Sequence, residues 1–292
     1  MKKRLFISFS GGETSAFMAK WLMENRAQEY DEVVTLFANT GQENEETLRF
    51  VQQCDEAFNL GAVWVEAKVK AGRARSGHCV VDFETASRAG EPFEAVIQKY
   101  GIPNQNWPHC TRELKLNPML SYLRSIGWKP GSYDTAIGIR VDEIDRISAS
   151  AAEKRLIYPL VSDIEMTKPG INGWWQQQPF RLQLKGYEGN CKWCWKKSLR
   201  KHLTLISEHP DWYAFPDRME RLYTSVNPRP GLPDRVFFRE GRSTRDLREL
   251  AAGGGFTPVV DDAQVYEDQL SLDLDSSNGC SESCEINFEE VA

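Results

Sequence analysis

Hydrophobic and polar positions in the first third of the chain follow two alternating periods. Leu5-Phe6-Ile7 is a short apolar run, and Ser8 to Ser15 is a stretch of small residues. Over residues 16–25 the apolar side chains fall at Phe17, Met18, Trp21 and Leu22, which is helical spacing. Residues 33–38 form a continuous apolar run of the kind that suits a buried parallel strand. Residues 45–58 return to helical spacing, with Leu48, Val51, Cys54 and Phe58 on one face, and residues 61–65 predict a third strand. This β–α–β–α–β order predicts an α/β fold with a Rossmann-like, doubly wound parallel sheet. Such sheets bind ligands at the carboxyl ends of their strands.

The pattern then loosens. Residues 68–118 are rich in Gly, Pro and polar side chains and read as loop with short helices. A helix is expected over 117–126, a strand over 133–139 ending in Gly138-Ile139-Arg140, and a short apolar segment over 156–160. Beyond residue 163 the pattern is helical, with a helix over 196–206. Gly253-Gly254-Gly255 marks an expected hinge. The expected division is a nucleotide-binding unit over 1–165, a smaller helical, cysteine-bearing region over 166–255, and an acidic tail over 256–292 without fixed order. No internal repeat is visible.

Composition narrows the class. Of 292 residues, 41% are hydrophobic, enough for a sizeable core, and no stretch reaches the length of a membrane span. A cytoplasmic protein without a membrane partner is expected. Net charge is −6, yet ten acids and no Lys or Arg lie beyond residue 259, so the body before them is mildly basic at +4. That balance accommodates an anionic ligand without demanding one. Seven cysteines, an odd number, argue against a disulfide framework and for metal or redox chemistry at the clustered ones.

Ser10-Gly11-Gly12-Glu13-Thr14-Ser15 lies between the first strand and the first helix. Glycines let backbone amides turn towards an anion, and the hydroxyls and the helix N-terminus complete a phosphate cradle. The Gly-Lys-[Ser/Thr] ending of a Walker loop is absent. A Ser/Gly turn that only caps a helix is the plain alternative. Together with Asn39-Thr40-Gly41 and Glu45-Glu46-Thr47-Leu48-Arg49-Phe50, and with Gly138-Ile139-Arg140 followed by Asp142-Glu143 and Arg146, this loop resembles the PP-loop ATP pyrophosphatases (adenine nucleotide alpha-hydrolases). Within them it is most similar to the phosphoadenosine phosphosulfate (PAPS) reductase-like family. The resemblance covers residues 5–160. It implies that Ser8, Ser10, Gly11, Gly12, Thr14 and Ser15 hold nucleotide phosphates. Phe37, Asn39, Thr40, Gly41 and Gly138 are implied to line the adenosine, and Arg140 to face phosphate as a catalytic group. ATP with Mg²⁺, or PAPS, is the implied nucleotide.

Two features set the chain apart from sulfonucleotide reductases. It keeps the Ser-Gly-Gly-x-x-Ser form of enzymes that cleave ATP to AMP and pyrophosphate. Glu13 stands where many of those carry Lys, so a cation near the phosphates is expected to be missing.

Cys191-Lys192-Trp193-Cys194 is a C-x-x-C pair, and His109-Cys110 lies upstream. On its own a C-x-x-C pair fits zinc, a redox dithiol or part of an iron–sulfur site. The arrangement resembles cluster-binding sulfonucleotide reductases and three-cysteine tRNA-thiolating enzymes, which implies a 4Fe–4S cluster on Cys110, Cys191 and Cys194. His109, a tail cysteine or an exogenous group is then the fourth ligand. Cys280 and Cys284 are catalytic candidates, because the reductases use a C-terminal cysteine as nucleophile; the tail lacks their Gly-Leu-His ending. Cys54 and Cys79 read as structural, and His202 and His209 as surface residues. Trp174, Trp175, Trp193, Trp195 and Trp212 lie close in sequence to Lys185, Lys192, Lys196 and Lys197, a pattern compatible with nucleic acid or with a core.

The leading expectation is an ATP pyrophosphatase that adenylates an acceptor for iron–sulfur-assisted sulfur transfer, with a nucleic acid as a candidate acceptor. Its rivals are a sulfonucleotide reductase that makes sulfite and a nucleotide-binding module without turnover. A sulfur donor or thiol reductant is an implied partner, and a homodimer is compatible with the chain.

Overall fold

In a computed structural model, residues 2–227, 231 and 234–264 are described; Cys280 and Cys284 lie outside them. The first half runs β1 (Arg4–Ser8), α1 (Glu13–Asn25), β2 (Glu32–Asn39), α2 (Glu45–Phe58), β3 (Val63–Lys68), β4 (Gly77–Val81), α3 (Glu91–Tyr100), a π-helical turn (Thr111–Leu116) and α4 (Asn117–Ser125). Then come β5 (Asp134–Ala136), α5 (Ala151–Lys154), β6 (Leu156–Ile157), α6 (Pro159–Ser162), α7 (Lys168–Gln176), α8 (Leu199–Glu208), α9 (Ala214–Tyr223) and α10 (Thr244–Gly253). The strands form one six-stranded sheet in the order β4-β3-β2-β1-β5-β6. All neighbours are parallel except β4, which runs antiparallel to β3 with Cys79 opposite Glu66. The chain builds outward from β1 through β2 and β3, then crosses back to β5. That reversal opens a crevice at the carboxyl ends of β1 and β5.

Side-chain alternation assigns each face of the sheet. Leu5 and Ile7 of β1 enter a core shared with α1, α2 and α7, whereas Phe6 enters the opposite core with Leu36, Val65, Met119 and Leu123. Trp175 and Ile171 of α7 belong to the first core, so the helical region begins by completing the sheet's own packing. A third core joins α3, α8, α9 and α10 around Trp193, Tyr213 and Phe237.

The structure corrects several local expectations. Residues 77–81 form an edge strand rather than loop, and Cys79 sits exposed on it. The strand expected over 133–139 shortens to 134–136. Trp174 and Trp175 pack with Phe17, Phe50, Phe58 and Phe180, in keeping with the core role that the sequence left open for them.

His202 is buried, not superficial, with Nδ1 2.8 Å from the Tyr213 hydroxyl. Burial holds its imidazole well below the ordinary histidine value. The unfolded chain takes up a proton near pH 6.5 that the fold refuses, so stability is present above that pH and is lost as pH falls. Replacing His202 by Asn is expected to flatten the dependence of stability on pH between 6 and 5 by up to ~1.4 kcal/mol per pH unit, measured by urea unfolding. An unchanged slope would show that His202 titrates alike in both states.

Candidate functional site

β1 delivers the chain into the loop at Ser8, and α1 starts four residues after Phe9. Gly11 has φ +86°, and a Cβ there would lie 2.9 Å from Thr47 Cγ2 and 3.0 Å from the Phe37 ring. The loop is therefore pressed onto α2 and β2, and only glycine fits that contact. Ser15 Oγ accepts from the Ser10 amide at 3.2 Å, lies 2.9 Å from Ser10 Oγ and donates to the Gly12 carbonyl at 3.0 Å. Asn190, just before the first C-x-x-C cysteine, donates Nδ2 to the Ser10 carbonyl at 2.8 Å. These bonds fix the loop while leaving the N-terminus of α1 to face the crevice.

Arg140 follows β5 through the buried Gly138 and is itself only 5% exposed. Its Nη1 donates to Thr14 Oγ1 at 3.0 Å, and its guanidinium pairs with Asp142 at 3.0 Å and Glu143 at 3.4 Å. The cavity over the loop is lined by Gly12, Thr14 and Asn172 together with Arg140, Lys168, Arg181 and Lys185. This overturns the expectation that a cation is missing. Glu13 accepts a bidentate pair from Arg181, both contacts at 3.0 Å, so the acid at the lysine position anchors an arginine from the far side of the crevice. Arg140, Lys168, Arg181 and Lys185, each paired with a carboxylate, thus bring cationic groups to the wall beside the N-terminus of α1.

The residues after β2 divide by role. Phe37 is buried, edge-on to Trp64 at 4.8 Å, and supports the loop from beneath. Asn39 is spent on structure: Nδ2 donates to Glu66 at 2.6 Å and to the Ser87 carbonyl at 2.8 Å, and Oδ1 accepts from the Gly41 amide. Burial raises the Glu66 carboxyl above its ordinary value. Thr40 donates its amide and hydroxyl to Glu43 Oε2 at 2.9 and 2.5 Å and reaches a second cavity.

That second cavity is lined by Cys110, Cys191 and Cys194 with Lys115, Trp193 and Trp195. Residues 42–44 hold the cysteine loop edge to edge. Cys191 bridges Glu43, Lys192 N donates to the Gln42 carbonyl at 3.1 Å, and Asn44 N donates to the Asn190 carbonyl at 2.9 Å. Trp193 Nε1 donates to Gln42 Oε1 at 2.7 Å. Lys115 pairs with Glu43 at 3.7 Å, and Lys197 donates Nζ to the Cys191 carbonyl at 2.5 Å. The three cysteines are half-buried, and the indoles of Trp193 and Trp195 form part of their wall. Three soft donors in such a pocket fit a thiolate-ligated metal or cluster.

His109 is not brought to this cavity. It is buried against Tyr100 with Nε2 3.1 Å from the Gly101 carbonyl, and burial pushes its imidazole down to about 4. Cys54 is buried in the first core. Sequence reasoning passed over Arg181, Lys168, Glu43 and Lys115, whose partners lie far away in sequence. The pairing of Asn190 with the phosphate loop was likewise invisible, although its place beside Cys191 was a local cue.

A six-stranded, mostly parallel sheet with a glycine loop at the crevice and Arg140 opposite defines a Rossmann-like α/β protein. Residues 4–91 match the phosphoadenosine phosphosulfate reductase domain. The chain belongs to the PAPS reductase-like family. It is 30% identical over 291 residues to the uncharacterized nin region protein ORF290 of Escherichia phage lambda, a match that covers 96% of this chain and 94% of that protein. No helix among the described residues is long and apolar enough to cross a membrane.

Proposed function

We propose that the chain is an ATP pyrophosphatase of this family that adenylates an acceptor for sulfur transfer. The observation that carries this reading is the shared frame of the two cavities: Asn190 bonds the phosphate loop, and its next residue, Cys191, lines the cysteine cavity. The loop amides and the N-terminus of α1 bind the phosphates. Arg140, Lys168, Arg181 and Lys185 face them across the crevice, and a bound Mg²⁺ would supply further neutralising charge. Charge developing on the leaving pyrophosphate is stabilised by groups already in place, so little reorganisation is needed. Cys110, Cys191 and Cys194 would hold a 4Fe–4S cluster, which would supply iron–sulfur chemistry for the sulfur transfer. Glu43 and Gln42 orient the cysteine loop beside the strand end. Nucleic acid remains the proposed acceptor class.

Anaerobically purified protein is expected to release AMP and pyrophosphate from Mg-ATP in the presence of bulk tRNA, and no sulfite from PAPS with a thiol reductant. The Cys194→Ser variant is expected to lose the brown colour of the wild type while still binding ATP. Sulfite from PAPS would instead establish the reductase reading, which the family match favours. A wild type that is colourless when purified without oxygen would remove the cluster.

A further inference from the structure

We propose that Glu188, Glu208 and His209 form a binding site for a divalent transition-metal cation, beside the phosphate-loop cavity, with which its cavity shares Lys185 and Arg181, and apart from the cysteine cavity. One ligand atom from each side chain lies within 4.8 Å of the other two. Glu188 is buried, and a tight turn fixes it: its own amide donates to the Lys185 carbonyl at 2.9 Å, and its Oε2 accepts from the Lys185 amide at 2.8 Å. That leaves Oε1 directed at His209 Nε2, 3.3 Å away. Nε2 is shielded from solvent yet makes no hydrogen bond of acceptable geometry. A shielded ring nitrogen that faces a carboxylate oxygen outside hydrogen-bond geometry is placed as a metal-ligating imidazole is.

The surroundings hold these groups as ligand shells are held. The His209 ring stacks on Trp212 at 4.2 Å and 10°, which fixes its plane. Glu208, at the end of α8, accepts from the Tyr187 hydroxyl at 2.8 Å and from Lys185 Nζ at 2.9 Å. Such outer hydrogen bonds orient a metal ligand. Glu188 and His209 also line a cavity of about 340 Å³ that carries Glu46 and Asp261 as well. The cations on that wall are Lys185 and Arg181, and Arg181 is already paired with Glu13. Among the described residues three carboxylates, Glu46, Glu188 and Asp261, face these two cations, which leaves the wall mildly anionic, a field that favours an added cation. One imidazole with two carboxylates and open positions suits Mn²⁺, Fe²⁺ or Zn²⁺.

The site is independent of the sulfur-transfer reading, and its test needs no turnover. Desalted full-length protein without nucleotide is titrated with Mn²⁺, and free Mn²⁺ is followed by electron paramagnetic resonance. Mn²⁺ is chosen because it prefers oxygen and nitrogen donors to the thiolates of the other cavity. The wild type is expected to show one saturable site, weakened at least ~10-fold in His209→Ala and in Glu188→Gln. Cys191→Ser is expected to bind as the wild type does. Should the two buried-wall variants unfold, Glu208→Gln, altered at an exposed position, must show the same weakening. Absence of saturable binding, equal affinity in the Glu208, Glu188 and His209 variants, or loss confined to Cys191→Ser would each overturn the proposal.

Discussion

The Arg140→Met variant is expected to lose about 3 kcal/mol of stability and to bind ATP about 10–100-fold more weakly. Arg140 pairs with Glu143, which is itself 6% exposed, and removing one partner of a buried pair costs ~3–5 kcal/mol. Arg146 also pairs with Glu143, so the loss falls at the lower end of that range. The binding loss follows from a charge-assisted hydrogen bond worth ~1.5–3 kcal/mol. Urea unfolding reads the first quantity and ATP titration calorimetry the second. Arg140→Lys, which keeps the charge, separates them: its affinity should lie between those of the wild type and the Met variant. Full affinity in the Met variant would exclude Arg140 from the phosphate site.

Trp175→Ala is expected to cost about 3–5 kcal/mol in urea unfolding, the range for deleting a large buried aromatic. Trp175 is fully buried, with ring centroids 5.0 Å from Phe50 and 5.7 Å from Phe180. Its indole Nε1 also donates to the Glu13 carbonyl at 3.0 Å, at the first residue of α1. The substitution thus opens a cavity directly under the phosphate loop. Trp175→Phe restores most of the volume but not the hydrogen bond, and should recover more than half of the stability. Equal losses in both variants would assign the effect to the indole N–H alone.

Legibility tracked the range of the interactions. The β1–α1–β2–α2 order was readable because each element carries its own period, and residues 45–58 were placed with their observed bounds. Strand β4 was not, since Gly77-His78-Cys79-Val80-Val81 is short, lies in a stretch rich in Gly and polar residues and, among the described residues, pairs only with β3. His202 looked superficial because Arg200 and Lys201 precede it, yet helical phase turns it inward to Tyr213. The phosphate loop was legible in its glycines. Its charge was not: Glu13 meets Arg181 across 168 residues, and a one-dimensional reading sees only the acid. The three cysteines were found by their chemistry. That Thr40 and Glu43 share their cavity depends on a bridge between two loops far apart in sequence.

The π-helical turn at Thr111–Leu116 sets a phase. Cys110 enters it in helical geometry, and α4 leaves it one residue out of step with a regular α-helix. One residue of α-helix is about 100° of rotation. Deleting a single residue inside the turn would let the segment close into uninterrupted α-helix and would swing Cys110 by about that angle, away from Cys191 and Cys194. The placement of Cys110 is thus set by a count of residues, in addition to the buried contacts of Leu114, Lys115 and Leu116.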